Sequence, residues 1–252
     1  MRPVHTVCLL FLLLGAAVSS AAAQKGRLLD GQAAAVGSHP YSVSLQRNGA
    51  HICGGALISN KVCLTAAHCV TVGGIESYPA RSFLVRAGSI QRVAGGQLAQ
   101  VARIVVHQDY ANGLNDLALV VLEQALTLNA NTQPIALASQ APPAGAEITY
   151  TGWGAISNQG TLSQRLLVGS RQTISAADCQ KQLYIDDEGL LCLVSASETS
   201  SNGICHGDAG APAVYQDELV AIGGFYADVC GSSLPNGFMS VVHYLDWIKA
   251  NM

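Results

Sequence analysis

The stretch of residues 205–212, CHGDAGAP, has the composition of a loop that could stabilise an oxyanion. Backbone N–H groups of small residues in such a loop can point into a cleft and bind the negative charge that develops when a carbonyl carbon is attacked. Acyl transfer of this kind also needs a nucleophile, commonly a serine hydroxyl that an imidazole deprotonates. Ala209 carries only a methyl group, so at the centre of this loop there is nothing to deprotonate and nothing to attack with.

Short strands separated by turn signals must position this loop. Alternating or compact apolar runs occur at residues 41–45, 52–58, 62–65 and 100–106, with glycine and proline between them. This spacing favours an all-β barrel or sandwich over βαβ units. Helical periodicity is evident at the C-terminus, where apolar residues repeat up to Ile248, and the polar segment 123–145 is the expected crossover between two halves.

The first residues predict export. Arg2 and His5 precede an apolar run, and alanines at residues 21–23 offer the small side chains that signal peptidase needs, so we predict a signal peptide over residues 1–23. A membrane anchor is the alternative, but the run is too short to span a bilayer. Residues 24–27 are then a short propeptide, and residues 28–252 form the mature domain.

The charge balance disfavours several partners. Without residues 1–27 the chain keeps ten basic and sixteen acidic residues, a formal net charge of −6. Binding to nucleic acid or to an anionic membrane relies on clustered Lys and Arg, and the sequence contains no basic run. We therefore expect neither nucleic acid nor membrane as a partner, and no residue pattern calls for a cofactor or a metal.

Six motifs in fixed order resemble the chymotrypsin/trypsin-like serine protease family. They are PYSVSL at 40–45, CGGALI at 53–58, LTAAHC at 64–69, NDLAL at 115–119, TGWG at 151–154 and Pro212. The resemblance extends from Arg27 to the end of the chain, which makes residues 28–252 a peptidase-like domain. It implies an all-β fold of two six-stranded antiparallel Greek-key barrels, with a cleft between them and a short C-terminal helix.

The resemblance also implies roles for individual residues. His68 corresponds to the general base, Asp116 to the carboxylate that fixes its tautomer, and Gly207 and Ala209 to the oxyanion hole. Ala209 stands where the family has its serine nucleophile, which identifies the chain as an inactive homologue. His68 and Asp116 then either keep a working geometry or persist as a hydrogen-bonded pair that supports the core between the barrels. Neither Cys63 nor His206, at the cleft rim, is placed to replace the serine.

The expected specificity pocket departs from the family pattern. By the resemblance, Gly203 lies at its base and removes the carboxylate with which a trypsin-like enzyme holds Arg or Lys. Tyr226 and Asn236 occupy wall positions that are commonly glycine, so we expect a narrowed or closed pocket. Gly224 replaces a serine that supports the buried carboxylate, and Ala211 adds a methyl group that we expect to displace the loop.

Eight cysteines are present, and Cys8 falls within the predicted signal peptide. Spacing alone permits several connectivities for the other seven. The resemblance selects the pairs Cys53 with Cys69, Cys179 with Cys192, and Cys205 with Cys230. Cys63 is then left over, either as a buried free thiol or as one half of an intermolecular disulfide.

Lys25-Gly26-Arg27 followed by Leu28 resembles a zymogen cleavage site. Cleavage after Arg27 would release an ammonium group that pairs with Asp208 inside the second barrel. The alternative is that Arg27 belongs to an inert stub.

These observations favour a secreted pseudoprotease that binds a protein partner. The partner would be a protease, an inhibitor or a protease substrate, and the protein would act as regulatory cofactor, decoy or competitor. The alternatives are an enzyme with weak residual hydrolytic activity and an inert structural or storage protein. Loss of the serine in a comparable triad costs roughly a million-fold in turnover, which weighs against the enzyme. The sequence does not indicate an oligomeric state.

Overall fold

A computed structural model describes residues 31–156, 160–196 and 202–252. The predicted signal peptide and the proposed cleavage site, with Arg27 and Leu28, lie outside these ranges. The strands are β1 (Gln32–Ala33), β2 (Ser42–Arg47), β3 (Ala50–Leu57), β4 (Val62–Thr65), β5 (Thr71–Gly73), β6 (Glu76–Ser77), β7 (Phe83–Ala87), β8 (Gln97–Val106), β9 (Ala118–Leu122), β10 (Ala136–Leu137), β11 (Glu147–Gly152), β12 (Leu167–Thr173), β13 (Leu190–Val194), β14 (Pro212–Tyr215), β15 (Glu218–Tyr226) and β16 (Asn236–Ser240). The α-helices are α1 (Ala176–Leu183) and α2 (Leu245–Asn251), and 3-10 turns lie at Ala67–Cys69 and Ala80–Ser82.

The first barrel closes in the order β2-β3-β4-β9-β8-β7. Its strands follow the period of two expected for a half-buried sheet, most clearly in β7, where Phe83, Val85 and Ala87 are buried and the residues between them are partly exposed. Strand β2 is buried along nearly its whole length because it faces the barrel core on one side and the second barrel on the other. On that second side the hydroxyl groups of Ser42 and Thr151 are 2.7 Å apart and join the two barrels.

The second barrel is built from β12, β11, β14, β15, β16 and β13, and pairing of β12 with β13 closes it. Strand β1 extends its edge along β12, and β10 pairs in parallel with β15. A register shift in β15 between Gly223 and Phe225 marks a bulge beside the cleft. The prediction of two six-stranded antiparallel barrels is confirmed.

Helix α2 confirms the expected C-terminal helix, whereas α1 was not predicted from periodicity. The sequence of α1, AADCQKQL, is mostly polar. Cys179 is the one buried residue of this helix. Its start is nevertheless signalled locally, because Ser175 Oγ accepts a hydrogen bond from the backbone N–H of Asp178 at 3.1 Å. Neither α-helix in the described ranges is long and apolar enough to cross a membrane.

The barrels pack face to face through a shared apolar cluster. Leu64 and Leu119 of the first barrel and Ile222 and Met239 of the second are fully buried in it. The loop that carries Ala209 is pressed against strand β3, since a Cβ on Gly54 would lie 3.2 Å from Ala211 Cα. This close approach brings residues 205–212 to the cleft between the barrels.

Candidate active site

The 3-10 turn Ala67–Cys69 carries His68, and Asp116 lies just before β9. His68 Nδ1 and Asp116 Oδ2 are 2.6 Å apart, and the backbone N–H of His68 donates to Asp116 Oδ1 at 2.8 Å. Asp116 is buried, while the side chain of His68 is 42% exposed towards the cleft. Burial alone would lower the pKa of His68, but the hydrogen bond and the charge of Asp116 outweigh it and raise the pKa above its usual value.

His68, Asp116 and Ala209 line one cavity of about 810 Å³ between the barrels. Ala209 is half-buried, and its carbonyl oxygen accepts a hydrogen bond from Gly54 N at 2.7 Å. His68 Nε2 has no hydrogen-bond partner in the part of the chain that the structure describes. The structure therefore brings the two predicted triad remnants and the alanine together in one cleft, with a methyl group where a hydroxyl would be needed.

The backbone around Ala209 leaves two donors free. Among the described residues, no acceptor is bonded to the N–H of Gly207 or of Ala209, and both residues line the cavity. Gly207 has φ of +88°, a left-handed conformation that favours glycine. Two free N–H groups at neighbouring positions are what an oxyanion hole requires.

His51 fixes the peptide group that joins Gly207 to Asp208, and the sequence analysis missed this histidine. His51 Nε2 lies 3.0 Å from the Gly207 carbonyl oxygen, and its Nδ1 lies 2.8 Å from Ser44 Oγ. Because a carbonyl can only accept, Nε2 carries the proton and Nδ1 accepts from the serine hydroxyl. Burial lowers the pKa of His51 to about 4, with a further lowering from the charge of Arg92 and an opposing effect of the Gly207 bond. A histidine two residues before a cleft cysteine was the available signal.

Asp208 is fully buried beneath the loop. Its Oδ1 accepts from Gly154 N at 2.7 Å and its Oδ2 from Cys205 N at 3.0 Å. A Cβ at Gly152 or Gly154 would collide with this carboxylate, which explains the two glycines of the TGWG motif. Burial raises the pKa of Asp208 to about 7, against the two backbone hydrogen bonds. The proposed ammonium partner on Leu28 lies outside the described residues.

The walls of the expected specificity pocket are Ile204 and residues 224–226, all of which line the cavity. Gly203 and Asn236 do not line it. Asn236 Oδ1 accepts from Ile204 N at 3.1 Å and lies 2.7 Å from where a Cβ on Gly203 would be, so this amide occupies the base.

Tyr226 narrows the mouth of the same pocket. Its hydroxyl and His206 Nε2 are 2.7 Å apart, and their rings meet edge to face with centroids 5.5 Å apart. His206 is exposed on the rim, as expected. Together, the phenol at the mouth and the amide at the base restrict the space available to an entering side chain.

Gly224 offers no side-chain donor to Asp116. Among the described residues, His68 alone donates hydrogen bonds to this carboxylate.

The methyl group of Ala211, which we expected to displace the loop, is fully buried. The backbone bonds beside it are intact, since Gly223 N donates to Ala211 O at 2.8 Å and Gly210 N to Gly223 O at 2.7 Å.

The structure joins the three cysteine pairs that the resemblance implied, Cys53–Cys69, Cys179–Cys192 and Cys205–Cys230. Cys63 is a buried free thiol in β4, and burial raises its pKa to about 12, which makes it unreactive. The sulfur atoms of Cys53 and Cys69 lie near His68, but their disulfide removes the thiolates that a metal ion would need.

Comparison with known proteins agrees with this geometry. The family model described as Trypsin matches residues 28–248. Serine protease SP24D of Anopheles gambiae is 37% identical over 229 residues, which cover 91% of this chain and 82% of that protein. Trypsin delta of Drosophila melanogaster is 31% identical, with coverage of 90% and 88%.

Among solved structures, neuropsin, a serine protease expressed in the limbic system of mouse brain, superposes with a TM-score of 0.79 at 27% identity, covering 88% of this chain and 99% of that one. The matched region contains both barrels and the whole cleft. The chain therefore belongs to the trypsin-like serine protease family.

Proposed function

We propose that this protein is a secreted, non-catalytic member of its family that binds a protein partner through the cleft. One observation carries the proposal: His68 Nε2, the atom that would take a proton from a nucleophile, has no hydroxyl or thiol partner in the described residues, and Ala209 occupies the serine position. Without a nucleophile no acyl-enzyme can form.

Other side chains of the cleft do not replace the serine. The hydroxyl groups that line the cavity belong to Thr71, Tyr78, Tyr110 and Tyr226, and none of them is hydrogen-bonded to His68. The phenol of Tyr226 is directed instead at His206. The thiol of Cys63 is buried in β4 and does not line the cavity.

The retained architecture supports binding. The cavity is formed, its walls include the apolar side chains of Ile52, Leu114, Ile185 and Phe225, and the oxyanion donors remain free. A cleft of this shape can hold an extended segment of a protease, an inhibitor or a protease substrate. The three disulfides suit an extracellular protein, in agreement with the predicted signal peptide.

The test is capture of the partner from the native extracellular fluid by immobilised mature protein. Ala209→Trp would fill the cleft and should abolish capture, whereas Ala130→Trp, at an exposed site away from the cavity, should not. Equal capture by both variants would place the partner elsewhere on the surface and sink the cleft-binding proposal.

Weak hydrolysis is the second candidate, favoured by the free N–H groups of Gly207 and Ala209. An enzyme that has lost its triad keeps roughly 10³ to 10⁴ over water from the oxyanion hole and binding. We expect the purified protein to hydrolyse a reactive ester no faster than a His68→Ala control. A burst of leaving group that His68→Ala abolishes would establish an enzyme instead.

A further inference from the structure

Arg171 of β12 is a buried cation without a carboxylate partner in the described part of the chain. Its side chain is one of the largest fully buried side chains of the described residues, and the residue is 1% exposed. The ion pairs within the described ranges are His68–Asp116 and Arg81–Glu123, so Arg171 takes part in neither. Desolvation lowers its pKa, with an opposing effect of nearby Tyr150. Because an arginine remains protonated in proteins, this position carries a positive charge inside the second barrel.

The hydrogen bonds of Arg171 all go to uncharged oxygens. Nε donates to the Asn202 carbonyl at 3.0 Å, Nη1 to the Leu193 carbonyl at 2.9 Å, and Nη2 to Ser195 Oγ at 3.3 Å and to the Ser232 carbonyl at 3.4 Å. These bonds satisfy the geometry of the guanidinium group but do not neutralise it. A buried charge of this kind is stabilised further by any anion that can approach it.

This charge lies directly behind the base of the specificity pocket. A Cβ on Gly203 would be 3.3 Å from both Cζ and Nη2 of Arg171. By family resemblance, residue 203 is the position that would carry a carboxylate in a pocket that binds Lys or Arg, and here it is glycine. Where a pocket specific for Lys or Arg would hold a carboxylate, this protein therefore has the positively charged guanidinium group of Arg171.

Asn236 adds a free donor at the same level. Its residue exposure is 1%, its Oδ1 accepts from Ile204 N, and its Nδ2 has no acceptor among residues 31–156, 160–196 and 202–252. Ile204 is part of the cavity wall, so the amide that accepts from its N–H lies directly behind that wall. An unsatisfied buried N–H is costly, and an oxygen acceptor that enters the pocket would remove that cost.

The open cleft also contains a cation. Arg47 lines the cavity, lies over the ring of Tyr78 at 3.5 Å and has an Nε without an acceptor among the described residues. Asp116 is the carboxylate among the lining residues, and it is bonded to His68. Arg47 is therefore the cation of the open cleft that is not paired with a carboxylate among the described residues.

We propose that the specificity pocket accepts an acidic side chain, Glu or Asp, from an extended segment of the protein partner. Asn236 Nδ2 donates to the carboxylate, and Arg171 stabilises its charge from behind the pocket base. The exposed Tyr226–His206 hydrogen bond opens to admit the side chain, since it is a single bond at the rim. This inference rests on the proposed cleft-binding function and gives the chemistry that the partner must present.

The first test needs no variant. Alanine hexapeptides with one central Glu, Gln or Lys, acetylated and amidated so that no other carboxylate is present, are titrated into the protein and followed by NMR chemical shifts. We expect the Glu peptide to bind about tenfold more tightly than the Gln peptide, because a charge-assisted hydrogen bond exceeds a neutral one, and the Lys peptide to bind most weakly. Equal affinities for the three peptides, or no binding of any, would overturn the proposal.

The second test cancels the charge at the pocket base. Asn236→Asp keeps the acceptor for Ile204 N, removes the amide donor and places a carboxylate near Arg171, so the preference for Glu over Gln should be lost. Asn60→Asp, at an exposed site in the first barrel, changes the net charge equally and should leave the order unchanged. Unchanged preference in both variants would contradict the inference.

Sodium acetate supplies a free carboxylate for comparison. If acetate raises the melting temperature and displaces the Glu peptide at equal concentration, the site binds a small anion only and the assignment to a partner side chain is wrong. The outcomes also separate this inference from the proposed function. If Asn236→Asp and the unaltered protein capture the partner equally, cleft binding stands, but the proposal that the pocket binds an acidic side chain is wrong.

Discussion

His51 and Gly207 are 156 residues apart in the chain, yet the imidazole Nε2–H of one holds the carbonyl oxygen of the other at 3.0 Å. This bond fixes the peptide group that joins Gly207 to Asp208, whose N–H donates to the Cys205 carbonyl at 2.9 Å, while the N–H of Gly207, in the preceding peptide group, has no acceptor among the described residues. The first barrel thus fixes the backbone of a loop in the second.

Because His51 is buried in its neutral form, acid should destabilise the protein. The pKa is lowered from 6.5 to about 4 in the folded state, so the unfolded chain binds more protons between these values and the free energy of unfolding falls as pH drops from 6.5 to 4. The shift corresponds to about 3 kcal/mol. Urea denaturation at pH 7, 5.5 and 4 measures it. His51→Gln, which keeps a donor for Gly207, should lose most of this dependence; an unchanged pH dependence in the variant would contradict the assignment.

Ala209→Ser should restore chemistry on a small reactive probe but not efficient proteolysis. The new hydroxyl can approach His68, and the free N–H groups at residues 207 and 209 can stabilise an oxyanion, so we expect labelling by a fluorophosphonate that His68→Ala abolishes. Peptide cleavage should stay poor because Tyr226 and Asn236 restrict the pocket, and a misplacement of about 1 Å costs roughly a hundred-fold. Full proteolytic activity would refute the restricted pocket.

Adding Gly224→Ser to Ala209→Ser should raise the rate further by giving Asp116 another donor. A Cβ at this position would lie 3.0 Å from Met239 Cε and 3.1 Å from the Gly237 carbonyl oxygen. The methionine end is flexible and can move by a few tenths of an ångström. The ratio of labelling rates of the double and single variants measures the gain, and a slower double variant would show that the backbone contact prevails.

The thiol of Cys63 should resist alkylation in the native protein. It is buried and its pKa is raised to about 12, so little thiolate is exposed to the reagent. Denaturation without reductant should then expose one alkylatable cysteine per chain, counted by mass spectrometry. Finding none, together with a dimer that reductant dissociates, would assign Cys63 to an intermolecular bridge.

Cleavage after Arg27 should alter stability through Asp208. With the pKa raised from 3.8 to about 7, an unpaired Asp208 contributes stability at low pH that is lost as pH rises through 7. A Leu28 ammonium beside it would remove that loss. We expect N-terminal sequencing of the natural protein to find Leu28, and Arg27→Gln protein to be less stable than the cleaved form at pH 8. A natural N-terminus at Gln24 would remove the zymogen interpretation.

The alternation of apolar residues and the turn signals, which are local, predicted an all-β barrel or sandwich, and the family resemblance implied the two six-stranded barrels that the structure contains. It also identified the residues that meet in the cleft, since His68, Asp116 and Ala209 lie in recognisable motifs. It missed α1, whose polar residues lack a periodic apolar face, although Ser175 and Asp178 marked its start.

His51 and Arg171 were missed for another reason. Each acts through contacts with residues far along the chain, Gly207 for the first and Asn202 and Ser232 for the second. For His51 the one local signal was its place two residues before the cleft residue Cys53, and for Arg171 the neighbouring sequence held no signal.

The polar helix α1 makes part of the surface sensitive to redox conditions. Cys179 is its fully buried residue and Leu183 its partly buried apolar contact with the core, so the Cys179–Cys192 bond supplies much of its attachment to the second barrel. In a reducing environment this helix would be the first segment to exchange its amide protons and to meet a protease. The same fold would thus present one surface outside the cell and a looser one wherever thiols prevail.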